Sequence, residues 1–192
     1  MHKPDILLQN LFYTNFYCEE NIYKLIEKLS NTVSGNLYAI IITNEEKQVK
    51  IYYQKLGDAI DNYSVVWDYH VIMVARFDYN DKFYVYDFDS VLDFPTEFEE
   101  YVKLVFPLDN YKTRYFRVVP SEDYLNYFSS DRRHMLRNDQ WMAKPPIYPF
   151  IKGRDQESTH NLNLYLDIHY NNTKFGTVFS QNDFVKYFDL FQ

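Results

Sequence analysis

Four runs rich in Val, Ile, Tyr and Phe follow one another between residues 37 and 88, and nothing else in this sequence constrains the fold as much. They are Leu37–Thr43, Val49–Gln54, Val65–Phe77 and Phe83–Phe88, separated by polar turn residues such as Asp78-Tyr79-Asn80-Asp81. β-Branched and aromatic side chains fit a pleated, half-buried surface. Short connections join antiparallel neighbours, so the runs predict an antiparallel meander.

Helical patterns flank these runs. Ile22, Leu25, Ile26 and Leu29 fall at i, i+3, i+4 and i+7, one face of a helix that follows Cys18. Glu19 and Glu20 at its start and Lys28 near its end suit the helix dipole, and Ser34-Gly35-Asn36 breaks the chain after it. Pro95-Thr96-Glu97-Phe98-Glu99 opens a second helix, with Thr96 and Glu99 at capping-box spacing and Phe98, Tyr101, Val102 and Val105 as the apolar stripe. A strand at Tyr115–Val119, a short helix from Ser121, a strand at Gly176–Phe179 and a capped helix over Ser180–Phe188 complete the pattern. Residues 129–161, with Pro145, Pro146 and Pro149, read as an irregular loop region. Such a loop either covers a site or is an inert surface excursion. Helix first, antiparallel sheet next and further helices after make an α+β domain, a sheet flanked by helices. The 192 residues suit one domain over 1–192, with residues 1–15 as an N-terminal extension.

Charge narrows the partners. The formal net charge is −7, the wrong sign for a nucleic-acid footprint. The densest basic stretch, Arg132, Arg133, His134 and Arg137, is flanked by Asp131 and Asp139 and reads as local ion pairs. A single cysteine forms no intramolecular disulfide. Ile6-Leu7-Leu8 is too short for a signal peptide, and the longest apolar runs fall far below membrane-spanning length. A reducing, soluble compartment fits best, with no membrane partner.

Three residues stand out chemically. Cys18 sits at or just before a helix N-terminus, which lowers a thiol pKa, although Glu19 and Glu20 oppose that effect and call for a cationic partner. A lone cysteine is otherwise most often a small buried hydrophobe. His70 belongs to a polar triplet, Asp68-Tyr69-His70, inside a strongly β-forming run; strand parity would put it on one face with Val66, Asp68, Ile72 and Val74. Asp87 interrupts an aromatic strand, a costly position unless it is paired. In a hairpin of the third and fourth runs, a turn centred between 78 and 79 sets His70 opposite Asp87. One between 79 and 80 sets them diagonally, and one at Asn80-Asp81 parts them by roughly 13 Å. Asp89 and Asp68 are alternative partners for the histidine. The order Cys, His, Asp is that of papain-like and transglutaminase-like enzymes. His2, His134, His160 and His169 show no metal-ligand spacing, four glycines leave no phosphate-cradling loop, and no metal or organic cofactor is expected.

Tyr17-Cys18-Glu19-Glu20-Asn21, Val66-Trp67-Asp68-Tyr69-His70-Val71 and Tyr86-Asp87-Phe88-Asp89-Ser90-Val91-Leu92 together resemble the signature segments of the protein N-terminal glutamine amidohydrolases. Phe116-Arg117-Val118, Ser130-Asp131-Arg132-Arg133-His134-Met135 and Asn161-Leu162-Asn163 echo the same family. Members often carry a second cysteine two residues before the nucleophile, where this chain has Phe16, and the resemblance is loose over 131–160. The resemblance implies a papain-like catalytic domain with Cys18, His70 and Asp87 as its triad. It also implies protein or peptide substrates with a free N-terminal glutamine and a role in N-degron turnover; separately, a cytoplasmic monomer is expected, the nucleus being the alternative location. Glu19, Glu20, Asp68 and Asp131 are the candidates for holding the substrate α-ammonium. Rival readings are another papain-like cysteine hydrolase or acyltransferase, or an inert binding module of the same fold.

Overall fold

A computed structural model describes residues 10–108 and 111–189, so residues 1–9 of the expected N-terminal extension lie outside the described residues. In chain order the elements are α1 (Cys18–Ser30), β1 (Gly35–Thr43), β2 (Val49–Ile51), β3 (Val65–Trp67), β4 (His70–Phe77), β5 (Tyr84–Tyr86), β6 (Thr96–Glu97), α2 (Phe98–Val105), β7 (Tyr115–Pro120) and α3 (Ser121–Tyr127). There follow β8 (Ser129–Ser130), β9 (Leu136–Arg137), β10 (Gln140–Trp141), β11 (Ile151–Lys152), α4 (Leu162–Leu166), β12 (Thr177–Ser180) and α5 (Gln181–Asp189). The main sheet has six strands in the order β12-β7-β1-β4-β5-β6, and its pairings are antiparallel.

Alternation along the strands divides the core into two layers. Ala39, Ile41, Val71, Met73 and Ala75 meet Ile22, Leu25 and Ile26 of α1 and Tyr124 and Leu125 of α3 on one face. Ile40, Ile42, Ile72 and Val74 meet Phe98 and Tyr101 of α2 and Phe184 and Phe188 of α5 on the other. The α+β reading is thus realised as a sheet buried on both faces, which explains why β1 and β4 carry near-continuous apolar runs.

The meander prediction needs correction. Val49–Gln54 and Val65–Phe77 do not join the main sheet as whole strands. β2 pairs with β3 in a separate ribbon, and the chain breaks at Asp68-Tyr69 before β4 begins. The Thr43 hydroxyl donates to the Asp68 carbonyl at 3.2 Å, and Tyr69 N–H turns onto the Asp68 side chain at 3.0 Å. The polar triplet is therefore the hinge between two sheets, so strand parity does not carry from Val66 and Asp68 to His70. The capping box at Thr96 also fails. Thr96 lies in β6 with its hydroxyl on the Asp93 carbonyl, and α2 starts at Phe98 without a side-chain cap. The 129–161 region is less irregular than expected: β8 pairs with β11 and β9 with β10.

Candidate active site

The β4–β5 register pairs Met73 with Tyr86 and Ala75 with Tyr84, which centres the turn between residues 79 and 80. His70 and Asp87 are then diagonal neighbours, one of the registers that permits contact. His70 Nε2 lies 2.8 Å from Asp87 Oδ1, and both side chains are buried. Asp87 accepts three more hydrogen bonds: Asp89 N–H on Oδ1 at 3.0 Å, Gln54 Nε2 on Oδ2 at 3.0 Å and the Tyr101 hydroxyl on Oδ2 at 2.7 Å. Burial alone would raise this carboxyl, but the His70 charge and the hydrogen bonds from His70, Gln54 and Tyr101 outweigh it and hold the pKa down to about 2.

An ionised Asp87 sets the histidine tautomer. Nε2 carries the proton toward Asp87, which leaves Nδ1 as a lone pair. Nδ1 is buried and has no hydrogen-bond partner among the described residues. The ring also stacks on Trp67, with centroids 5.4 Å apart and planes at 16°. Burial opposes the charged imidazole; the charge and hydrogen bond of Asp87, aided by Asp89, reverse that and raise the His70 pKa.

Cys18 is the first residue of α1, and its sulfur lies where the backbone N–H of Val71, the residue after His70, favours the thiolate. Burial, then the charges of Glu19 and Asp89, push the thiol well above its usual value; Val71 N–H acts against them, and Asp68 adds a smaller upward push. The resting group is thus a thiol, and a base is needed to remove its proton.

The four expected substrate acids separate. Glu19 is fully buried. Its Oε2 accepts from the Tyr69 hydroxyl at 3.1 Å and lies 3.8 Å from the Cys18 sulfur, and His134 Nε2 stands 3.3 Å from Oε1. Glu20 is fully buried and gripped by Arg132, with Nε to Oε1 at 2.9 Å and Nη2 to Oε2 at 2.8 Å. Arg132 thus occupies both oxygens of Glu20 and offsets its charge. Asp131 accepts from the Arg133 guanidinium and the Thr159 hydroxyl and does not line the cavity around Cys18. Asp68 remains, exposed at the rim of a cavity of about 430 Å³ that Cys18 also lines. Asp89, His134 and Met142 belong to the same wall.

Gln54 and Tyr101 are functional candidates that sequence reasoning missed. Tyr101 reads as one more member of an apolar helix stripe, and Gln54 as the end of a strand. Among the described residues, the His/Cys/Asp/Glu group close enough to hold a metal is His70, Asp87 and Asp89, with ligand atoms within 4.8 Å of one another. All four acceptor directions of Asp87 are already used, so these residues do not fit a metal.

A family model described as N-terminal glutamine amidase matches residues 13–188 of this chain. A protein of Drosophila mojavensis named protein N-terminal glutamine amidohydrolase is 39% identical over 184 residues, covering 92% of this chain and 87% of that protein. A Danio rerio protein of the same name is 38% identical over 186 residues, covering 93% and 89%.

Proposed function

Because the chain belongs to the N-terminal glutamine amidase family, and so is a hydrolase acting on an amide, we propose that it deamidates the side chain of an N-terminal glutamine through Cys18, His70 and Asp87. The observation that carries this is the buried His70–Asp87 pair, whose unpartnered Nδ1 is the base a thiol at the start of α1 requires.

His70 Nδ1 takes the Cys18 thiol proton as the sulfur attacks the carboxamide carbon, and an S–C bond forms. Backbone N–H groups in the first turn of α1, Cys18's own among them, stabilise the oxyanion. The C–N bond then breaks, and ammonia leaves with the proton from His70. Water attacks the resulting thioester, giving its proton to His70 and its hydroxyl to the carbonyl carbon. The S–C bond breaks, the thiol is restored and a glutamate side chain is released. Asp87 holds the imidazole tautomer and supports its charge throughout.

The rest of the substrate has a route. A broader groove between residues 11–16 and 142–148 shares Phe16, Met142 and Ala143 with the wall around Cys18. A peptide entering the cavity by its first residue would lie along this groove. The unit acts as one catalytic domain, a cytoplasmic monomer whose product, an N-terminal glutamate, is of the kind an arginyl transferase extends in N-degron turnover. No helix among the described residues is long and apolar enough to cross a membrane.

The test is ammonia release from a peptide beginning with glutamine and from the same peptide N-acetylated. Ammonia from the free peptide alone is expected. Cleavage of the peptide bond, or no ammonia from either, would overturn the reading.

A further inference from the structure

The cavity over Cys18 has to hold a charged terminus as well as a carboxamide. We propose that Asp89 is the residue that receives the substrate α-ammonium. The inference rests on the glutamine-amidase reading above and names its specificity residue.

Glu20 and Asp131 are already paired, and Glu19, although beside the Cys18 sulfur, is fully buried and does not line the cavity. Asp68 and Asp89 are the acids that share the wall with Cys18. They differ in setting. Asp68 is exposed, its Oδ1 is tied to the Tyr69 N–H, and a salt bridge in such a position is worth little. Asp89 is only 8% exposed, and Oδ1 accepts from the Tyr13 hydroxyl at 2.6 Å. Its Oδ2 has no hydrogen bond from a described residue. A desolvated carboxylate with one oxygen unfilled and a cavity in front of it is suited to an incoming cation.

Reach agrees. In an extended glutamine the carboxamide carbon and the α-nitrogen are four bonds, or about 5 Å, apart. The anchor must therefore stand close to the reacting groups, and an Asp89 oxygen lies within 4.8 Å of a His70 ring nitrogen. The Cys18 sulfur also feels Asp89 more strongly than Asp68.

This placement gives the free terminus a second task. With the cavity empty, the Asp89 charge works against the thiolate. An α-ammonium on Asp89 cancels that charge at the moment the thiol must lose its proton. An acetylated terminus supplies no cation and leaves Asp89 buried and unpaired.

The experiment compares kcat/KM for ammonia release from a glutamine peptide and from its analogue lacking only the α-amine, in the wild type, Asp89→Asn, Asp89→Glu and Asp68→Asn, with folding checked by circular dichroism. The wild type is expected to prefer the free-amine peptide by roughly 100-fold, the scale of a buried charge-assisted hydrogen bond. Asp89→Asn should collapse that preference to a few-fold, the loss falling on the free-amine peptide. Asp89→Glu, which keeps the charge, should retain part of it, and Asp68→Asn all of it. Equal losses on both substrates in Asp89→Asn, no better discrimination by the Glu variant than by the Asn variant, or loss of preference in Asp68→Asn would each overturn the assignment. Equal wild-type turnover of both peptides overturns the anchor alone. A wild type that releases ammonia from neither overturns the amidase reading, and the anchor with it.

Discussion

Asp87 has no acceptor direction to spare. With His70, Gln54, Tyr101 and the Asp89 backbone on its two oxygens, it can neither rotate nor take a proton without losing a bond. Asp87→Asn turns one oxygen into a donor facing other donors. It should present the wrong imidazole tautomer and lower kcat by about 10³- to 10⁴-fold, read from steady-state ammonia release. Tyr101→Phe removes one of the four bonds and should cost only about 10-fold in kcat. Cys18, His70 and Asp87 stand out as candidates because each clashes with its local sequence: a polar side chain in a β-forming run, an acid among aromatics, a lone thiol opening a helix. Gln54 and Tyr101 clash with nothing, so no local signal marked them. The partners of Glu20 and Asp131 were hidden for the opposite reason. An acid in a motif looks available until its partner is known, and Arg132 lies 112 positions from Glu20.

The break between β3 and β4 shows what periodicity misses. The run from Val65 to Phe77 is β-forming on both sides of its polar triplet, but Asp68 turns its side chain onto the Tyr69 N–H and the two halves lie in different sheets. Helix α1 was read nearly to its ends, because its apolar face repeats over whole turns, and the starts of α3 and α5 were placed to within a residue. The 129–161 region was opaque because a buried cation holds it together. Arg132 is only 3% exposed and donates to Glu20 and to the carbonyls of Pro146 and Tyr148. It ties α1 to the segment that carries Met142 and Ala143 over Cys18. Glu20→Gln leaves that guanidinium buried and underpaired and should destabilise the protein by about 3–5 kcal/mol in urea unfolding. Arg117 acts similarly on the stretch from α4 to β12, donating to the carbonyls of Tyr165, Tyr170 and Phe175 and pinning that stretch onto β7.

Between the two apolar layers of the sheet, Cys18, His70 and Asp87 stand at the ends of α1, β4 and β5. The His70–Asp87 pair therefore joins site and stability through pH. The Asp87 pKa falls from 3.8 to about 2, so its contribution is present above the unfolded value and is lost as pH drops through the folded one. His70 rises above 6.5, so its contribution is complete below that value and is lost as pH climbs through the raised one. The stability gap between wild type and Asp87→Asn in urea melts should be widest between these limits and narrow on either side. Turnover runs the other way: His70 must be neutral to take the thiol proton, so the acid limb of kcat/KM should lie above pH 6.5. The most direct test of the account is the intact mass of protein quenched in acid during turnover of a glutamine peptide. A covalent adduct equal to the peptide less one ammonia, located on Cys18 and missing in a Cys18→Ala protein that folds but releases no ammonia, is the expected result; ammonia release that persists in Cys18→Ala would contradict it.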